Sequence, residues 1–118
     1  MSRNSRLTAL VAAAIGLAAL GARAEADKKI ERIWKSKCAS CHGIAGKGDT
    51  EMGKKLAIAD YTKPEWQKGK TDADIKKAIL EGVKREKGGI KQEMDAYKEK
   101  GIDDAQADGL VKLIRELK

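Results

Sequence analysis

Cys38-Ala39-Ser40-Cys41-His42 is the stretch that decides how this chain is read. It contains both cysteines and the only histidine of the 118 residues. On a helix the three fall at i, i+3 and i+4, so their side chains leave from one side. The residues before the motif support a helix. Ile30, Ile33, Trp34 and Lys37 stand at i, i+3, i+4 and i+7, and the first three form an apolar face. Asp27 is placed to cap this helix, which would run from Lys28 to His42. After the motif come Gly43, Gly46, Gly48 and Gly53, which read as loop.

C-x-x-C-H is the covalent attachment motif of a c-type haem. Two sulfurs one helical turn apart can bond two carbons on one edge of the porphyrin, and the adjacent imidazole can reach the iron from the same side. The same residues have other uses. A structural zinc site needs four ligands, so carboxylates would have to complete the set. A thioredoxin-like pair needs a βαβ setting, which the pattern lacks. A disulfide across two intervening residues closes a short loop and stabilises little. His42 as an incidental surface residue is the bland alternative. The chain has only four aromatic residues, Trp34, Tyr61, Trp66 and Tyr97, and no Phe. Cores of this size usually rest on more large rings, so a bound group filling the centre fits the composition. One motif implies one haem.

The first 24 residues have the three parts of a secretory signal. Arg3 and Arg6 are followed by an uncharged stretch from Leu7 to Gly21, then by Ala22-Arg23-Ala24 with small residues at the cleavage positions. The apolar stretch is shorter than the roughly 20 residues that span a bilayer. Cleavage after Ala24 would leave residues 25–118, a chain of 94 residues whose net charge falls from +7 to +4. Such a mildly basic surface suits an acidic protein partner. Lysines interleaved with acids, without a basic helix or stripe, give no support for nucleic acid.

Further along, residues 57–70 read as irregular with a short turn. Thr71-Asp72-Ala73-Asp74 opens a capped helix that carries Ile75, Ala78 and Ile79 and stops at Gly82. Residues 83–100 read as loop, with a turn at Gly88-Gly89. Asp103 or Asp104 caps a last helix whose stripe is Leu110, Leu113, Ile114 and Leu117. Gly43 to Thr50 superficially resembles a phosphate loop but lacks its Lys-Ser/Thr ending. Its glycines are better explained by backbone running close against a flat ring.

From about Lys28 to Lys118 the chain resembles a small bacterial monohaem cytochrome c of the His/Met type. The motif Cys38 to Gly43 is its sharpest match. Gly53-Lys54-Lys55-Leu56 stands where the family has Gly-Pro-x-Leu, eleven residues after His42. The proline is absent, and by analogy the Lys54 carbonyl would accept a hydrogen bond from the His42 ring. Met94-Asp95-Ala96-Tyr97 fits the family's Met-x-x-aromatic landmark, with Asp95 where a proline is common. The resemblance makes Met94 the sixth ligand, and a thioether is a suitable soft donor for haem iron. Met52, a lysine amine from the 84–98 stretch and an open site are the alternatives; Met52 reads as packing. The family also crosses its first and last helices at a small residue and an aromatic, places that here fall on Ile30 and Leu113, with Trp34 and Leu110 beside them.

The resemblance implies an all-α cytochrome c fold, with three main helices and long loops wrapped around one covalent haem. The cofactor would be bound through Cys38 and Cys41, with His42 and Met94 on the iron. It implies a periplasmic one-electron carrier rather than an enzyme. Redox proteins with acidic docking surfaces would be its partners, met by Lys35, Lys37, Lys47, Lys91 and Lys98. The carrier would be a monomer with no membrane span after cleavage. Tyr61 and Trp66 read equally as haem-pocket walls, propionate partners or ordinary packing. A gas-binding haem protein and a haem subunit of a larger oxidoreductase are the competing classes.

Overall fold

The structure, a computed structural model, describes Gly21 and residues 23–117. The expected export segment lies outside these residues apart from Gly21, Arg23 and Ala24. The first helix, α1, covers residues 23–42. It is α-helical over 23–33, widens to a π turn at Trp34–Cys38 and is α-helical again at Ala39–His42. It is followed by α2 (Glu51–Lys55), α3 (Pro64–Gly69), α4 (Asp72–Glu81), strands β1 (Val83–Lys87) and β2 (Ile90–Met94), a 3-10 turn (Tyr97–Lys100) and α5 (Asp104–Glu116).

The two best sequence signals are both realised. Thr71 Oγ1 accepts from the Asp74 N–H at 3.0 Å, and the Asp74 carboxylate accepts from the Thr71 N–H at 3.2 Å. That reciprocal pair satisfies two donors left over at the start of α4. Gly82 ends α4 at φ 80°, where its own N–H bonds the Ala78 carbonyl at 2.9 Å. A second capping box opens α5, with Asp103 and Gln106 exchanging bonds of 2.8 and 3.2 Å. The buried face of α5 is Ala107, Leu110, Val111 and Ile114.

Several local expectations are corrected. Asp27 lies inside α1 rather than capping it. The helix that carries the motif is not regular: the Ala39 N–H reaches the Trp34 carbonyl, one residue further than in an α-helix. This wide turn shifts the phase between the Ile30–Trp34 stripe and the motif. Residues 83–94 are not loop but an antiparallel hairpin, pairing Val83 with Met94 and Lys87 with Ile90. Gly88 and Gly89 both have positive φ, 55° and 81°, as a two-residue hairpin turn of matching twist requires. The strand was hard to see because its faces are Lys, Arg, Glu and Gln rather than alternating apolar residues. Pro64 starts α3 at a position where a missing N–H costs nothing.

The core is one cluster built from Trp34, Ile75, Ile79, Ile102, Ala107, Leu110, Val111 and Ile114. Ile30 and Leu113, expected with Trp34 and Leu110 at the contact between the first and last helices, pack against it, as does Ile33. The close approach, however, falls on Gly109 and not on Leu113: a Cβ at Gly109 would lie 2.7 Å from Ile30 Cγ1. Arg115 then ties the middle of the chain to α5. Its guanidinium bonds Asp72 at 2.7 Å, the Gln67 carbonyl at 2.6 Å and the Lys70 carbonyl. Gln67 returns a bond to the Ile114 carbonyl at 3.0 Å.

Candidate functional site

The helices and the hairpin enclose a cavity of about 600 Å³. That is within the range of about 300–1,000 Å³ typical of sites for small molecules and cofactors. Its wall brings together Cys38, Cys41, His42 and Met94, four residues from two distant segments of the chain. The first three come from α1. Met94 comes from the end of β2, two elements beyond α4. Leu56, Ile58, Ile75, Ile79, Leu110 and Ile114 make much of the rest of the wall apolar.

The electrostatics follow from burial. Both cysteines are unbridged. Burial pushes the Cys38 thiol up to about 11, against the opposing charge of Lys37. Burial also holds His42 below its usual range, so the imidazole is neutral at pH 7 with a lone pair to offer. His42 Nδ1 is buried without a hydrogen-bond partner. Its expected partner, the Lys54 carbonyl, is used within the end of α2, where it accepts from the Ala57 N–H at 3.2 Å. Residues 51–53, expected as the end of a loop, belong to the short helix α2.

Aromatic rings back the imidazole. His42 stacks on Tyr61 at 5.1 Å between centroids, and Tyr61 meets Trp66 at 4.1 Å. Trp34 is 5.9 Å from His42 and donates from its indole to the Ile44 carbonyl at 3.1 Å. Tyr61 and Trp66 both line the cavity and also pack against the core. Burial raises the Tyr61 hydroxyl to about 12, so it stays protonated. Met52 is neither wall nor core: it is 44% exposed on α2.

The loop after the motif is fixed to it by backbone contacts. Thr50 donates from Oγ1 to the Cys41 carbonyl at 2.8 Å, and the Gly48 N–H bonds the His42 carbonyl at 2.8 Å. A Cβ on Gly53 would stand 2.6 Å from the Cys41 carbonyl, so only glycine allows α2 to approach this closely. Among the described residues no cluster of three His, Cys, Asp or Glu side chains could hold a metal ion.

A chain-wide comparison decides the family. The Cytochrome c profile matches residues 28–118. The chain belongs to the cytochrome c family. This cytochrome c is also similar to a solved structure, the KustC0563 c-type cytochrome, at 26% identity and a TM-score of 0.62. That match covers 75% of this chain and 95% of the other. No curated protein matches. The mainly helical fold with one small sheet is that of the family. Membership implies a covalent c-type haem and haem-based electron transfer. The residues of this cytochrome fit such a group: two thiols, an imidazole and a thioether share one largely apolar cavity. No helix among the described residues is long and apolar enough to cross a membrane.

Sequence reasoning missed Gln92, Gly109 and Arg115. Gln92 is buried at 8% exposure and lines the cavity, in a strand that the sequence pattern hides. Its only sequence signal was the Gly88-Gly89 pair between two runs of equal length.

Proposed function

We propose that this cytochrome c is an exported one-electron carrier that holds a single haem. Cys38 and Cys41 would form the two thioether bonds, with His42 and Met94 as axial ligands. The observation that carries this reading is that all four side chains line one cavity. When bound, the haem supplies the one-electron ferric/ferrous couple. The chain's own residues attach it, offer a neutral imidazole, and surround it with apolar walls that keep water away. His/Met ligation favours a raised reduction potential.

The export reading rests on the signal-like residues 1–24, with cleavage after Ala24 and function in the periplasm. The partner reading rests on charge. Lys35, Lys37, Lys47, Lys91 and Lys98 are all exposed, and Lys37 stands at the cavity wall. These lysines would meet an acidic partner that delivers or removes the electron.

The test is an optical spectrum of the exported protein, oxidised and reduced, with haem-maturation factors co-expressed. A low-spin c-type spectrum with the weak far-red band of a sulfur on ferric iron, unchanged by carbon monoxide, is expected. A high-spin or carbon-monoxide-reactive haem would overturn the carrier reading in favour of ligand binding. Protein without covalent haem would overturn it altogether.

A further inference from the structure

We infer that Gln92 is a positioning residue that holds the Met94 thioether where it can serve as a ligand. The inference rests on the reading of Met94 as the sixth ligand. In a strand, side chains two residues apart share a face, so Gln92 and Met94 lie on the same side of β2. Both line the cavity. Gln92 is also the one buried polar residue among those described. Its Nε2 donates to the Leu56 carbonyl at 2.6 Å and the Ala57 carbonyl at 3.0 Å, and its Oε1 accepts from Arg85 Nε at 2.8 Å.

An amide buried in an apolar wall is costly unless its bonds are made, and a leucine there would pack without that cost. What the amide adds is registration. The carbonyls it holds follow directly on α2, whose first turn is bonded through Thr50 to the Cys41 carbonyl. A chain of hydrogen bonds thus runs from the attachment motif, through α2, to the strand that presents Met94. Past Met94, the Tyr97 hydroxyl donates to the Lys37 carbonyl at 3.0 Å, one residue before Cys38. Met94 therefore lies between two ties to the segment that carries the motif. Gln92 is the buried one, with three bonds that all fail together when the amide is removed.

The experiment uses the haem-loaded protein, with Gln92→Leu, Gln92→Asn and Met94→Leu compared with wild type at a temperature where circular dichroism shows all four folded. Carbon monoxide combining with ferrous haem reads how often the sulfur leaves the iron, and the far-red ferric band reads its presence. Gln92→Leu is expected to speed carbon monoxide combination roughly tenfold or more, since losing a hydrogen bond of this kind shifts an equilibrium by about that factor. Its far-red band should weaken while mass spectrometry shows haem still attached. Gln92→Asn, which keeps the amide on a shorter stem and is the milder change, should fall in between. A lower melting temperature with the wild-type band and carbon monoxide rate, in either Gln92 variant, would mean a merely structural role and would overturn the inference. In that case Met94→Leu still loses the band, so the ligand assignment survives. Should Met94→Leu keep the band and stay unreactive to carbon monoxide, the ligand assignment itself fails and the inference goes with it.

Discussion

Gly109 lies directly against Ile30. A Cβ added at Gly109 would come within 2.7 Å of Ile30 Cγ1 and 2.8 Å of Cδ1, so α5 meets α1 at a residue with no side chain. Ile30 is β-branched and has little rotamer freedom in a helix, so it cannot easily turn away. This contact sets how closely the last helix approaches the one bearing Cys38, Cys41 and His42.

Filling that gap is expected to destabilise the protein. Gly109→Val should cost about 1–3 kcal/mol, as overpacking of a fitted contact does. Gly109→Ala should cost less, because alanine's helix propensity returns about 1 kcal/mol. Adding Ile30→Ala to Gly109→Val should recover part of the loss. Urea unfolding of these three variants and of Ile30→Ala alone checks this, and simple additivity of the two changes would contradict it.

Trp34 is 4% exposed, belongs to the core and stands 5.9 Å from the His42 ring. Trp34→Ala should cost about 3–5 kcal/mol and reduce the yield of haem-loaded protein. Thermal unfolding and the ratio of haem to protein absorbance are the measurements. Unchanged stability with full haem loading would show that the crossing does not depend on this ring.

The two methionines Met52 and Met94 should behave oppositely. Met94→Ala is expected to lower the reduction potential and open the iron to carbon monoxide, as loss of a thioether ligand does. Met52→Ala, on the exposed side of α2, should do neither. Potentiometry with a carbon monoxide challenge separates them, and the reverse pattern would reassign the ligand.

Asp74 makes a case for pH. Its carboxyl is held below its ordinary value of 3.8, first by the Thr71 backbone N–H and next by the Thr71 side chain. A depressed folded value means that the charged cap stabilises α4 fully above the unfolded value and loses that effect as pH falls through the folded one. Asp74→Asn should therefore be less stable than wild type at pH 7, with the difference shrinking only below 3.8. Urea midpoints across pH test this; a constant difference throughout would show that the charge does not matter.

Electron transfer with an acidic redox protein should slow as salt is raised, because screening weakens steering between exposed charges. Stopped-flow rates over a series of ionic strengths measure it. A flat dependence would remove the lysines from docking.

Much of this was legible in the chain itself. The spacing of Cys38, Cys41 and His42 announces a haem site because helix geometry alone puts i, i+3 and i+4 on one side. Thr71 with Asp74 marks one helix start, and Asp103 or Asp104 another, because such side chains bond backbone within four residues. Such local signals depend on nothing distant. What only the tertiary structure decided depends on parts of the chain far apart. Gly109 takes its meaning from Ile30, Gln92 from the Leu56 and Ala57 carbonyls, and Arg115 from Gln67, Lys70 and Asp72. The hairpin was hidden for a related reason. Its strands carry charges and an amide that serve contacts elsewhere, so the alternation that usually betrays a strand is missing. Local chemistry fixed where α4 and α5 begin and put Cys38, Cys41 and His42 within one turn of helix; the packing of distant segments fixed how Met94 is brought to the same cavity.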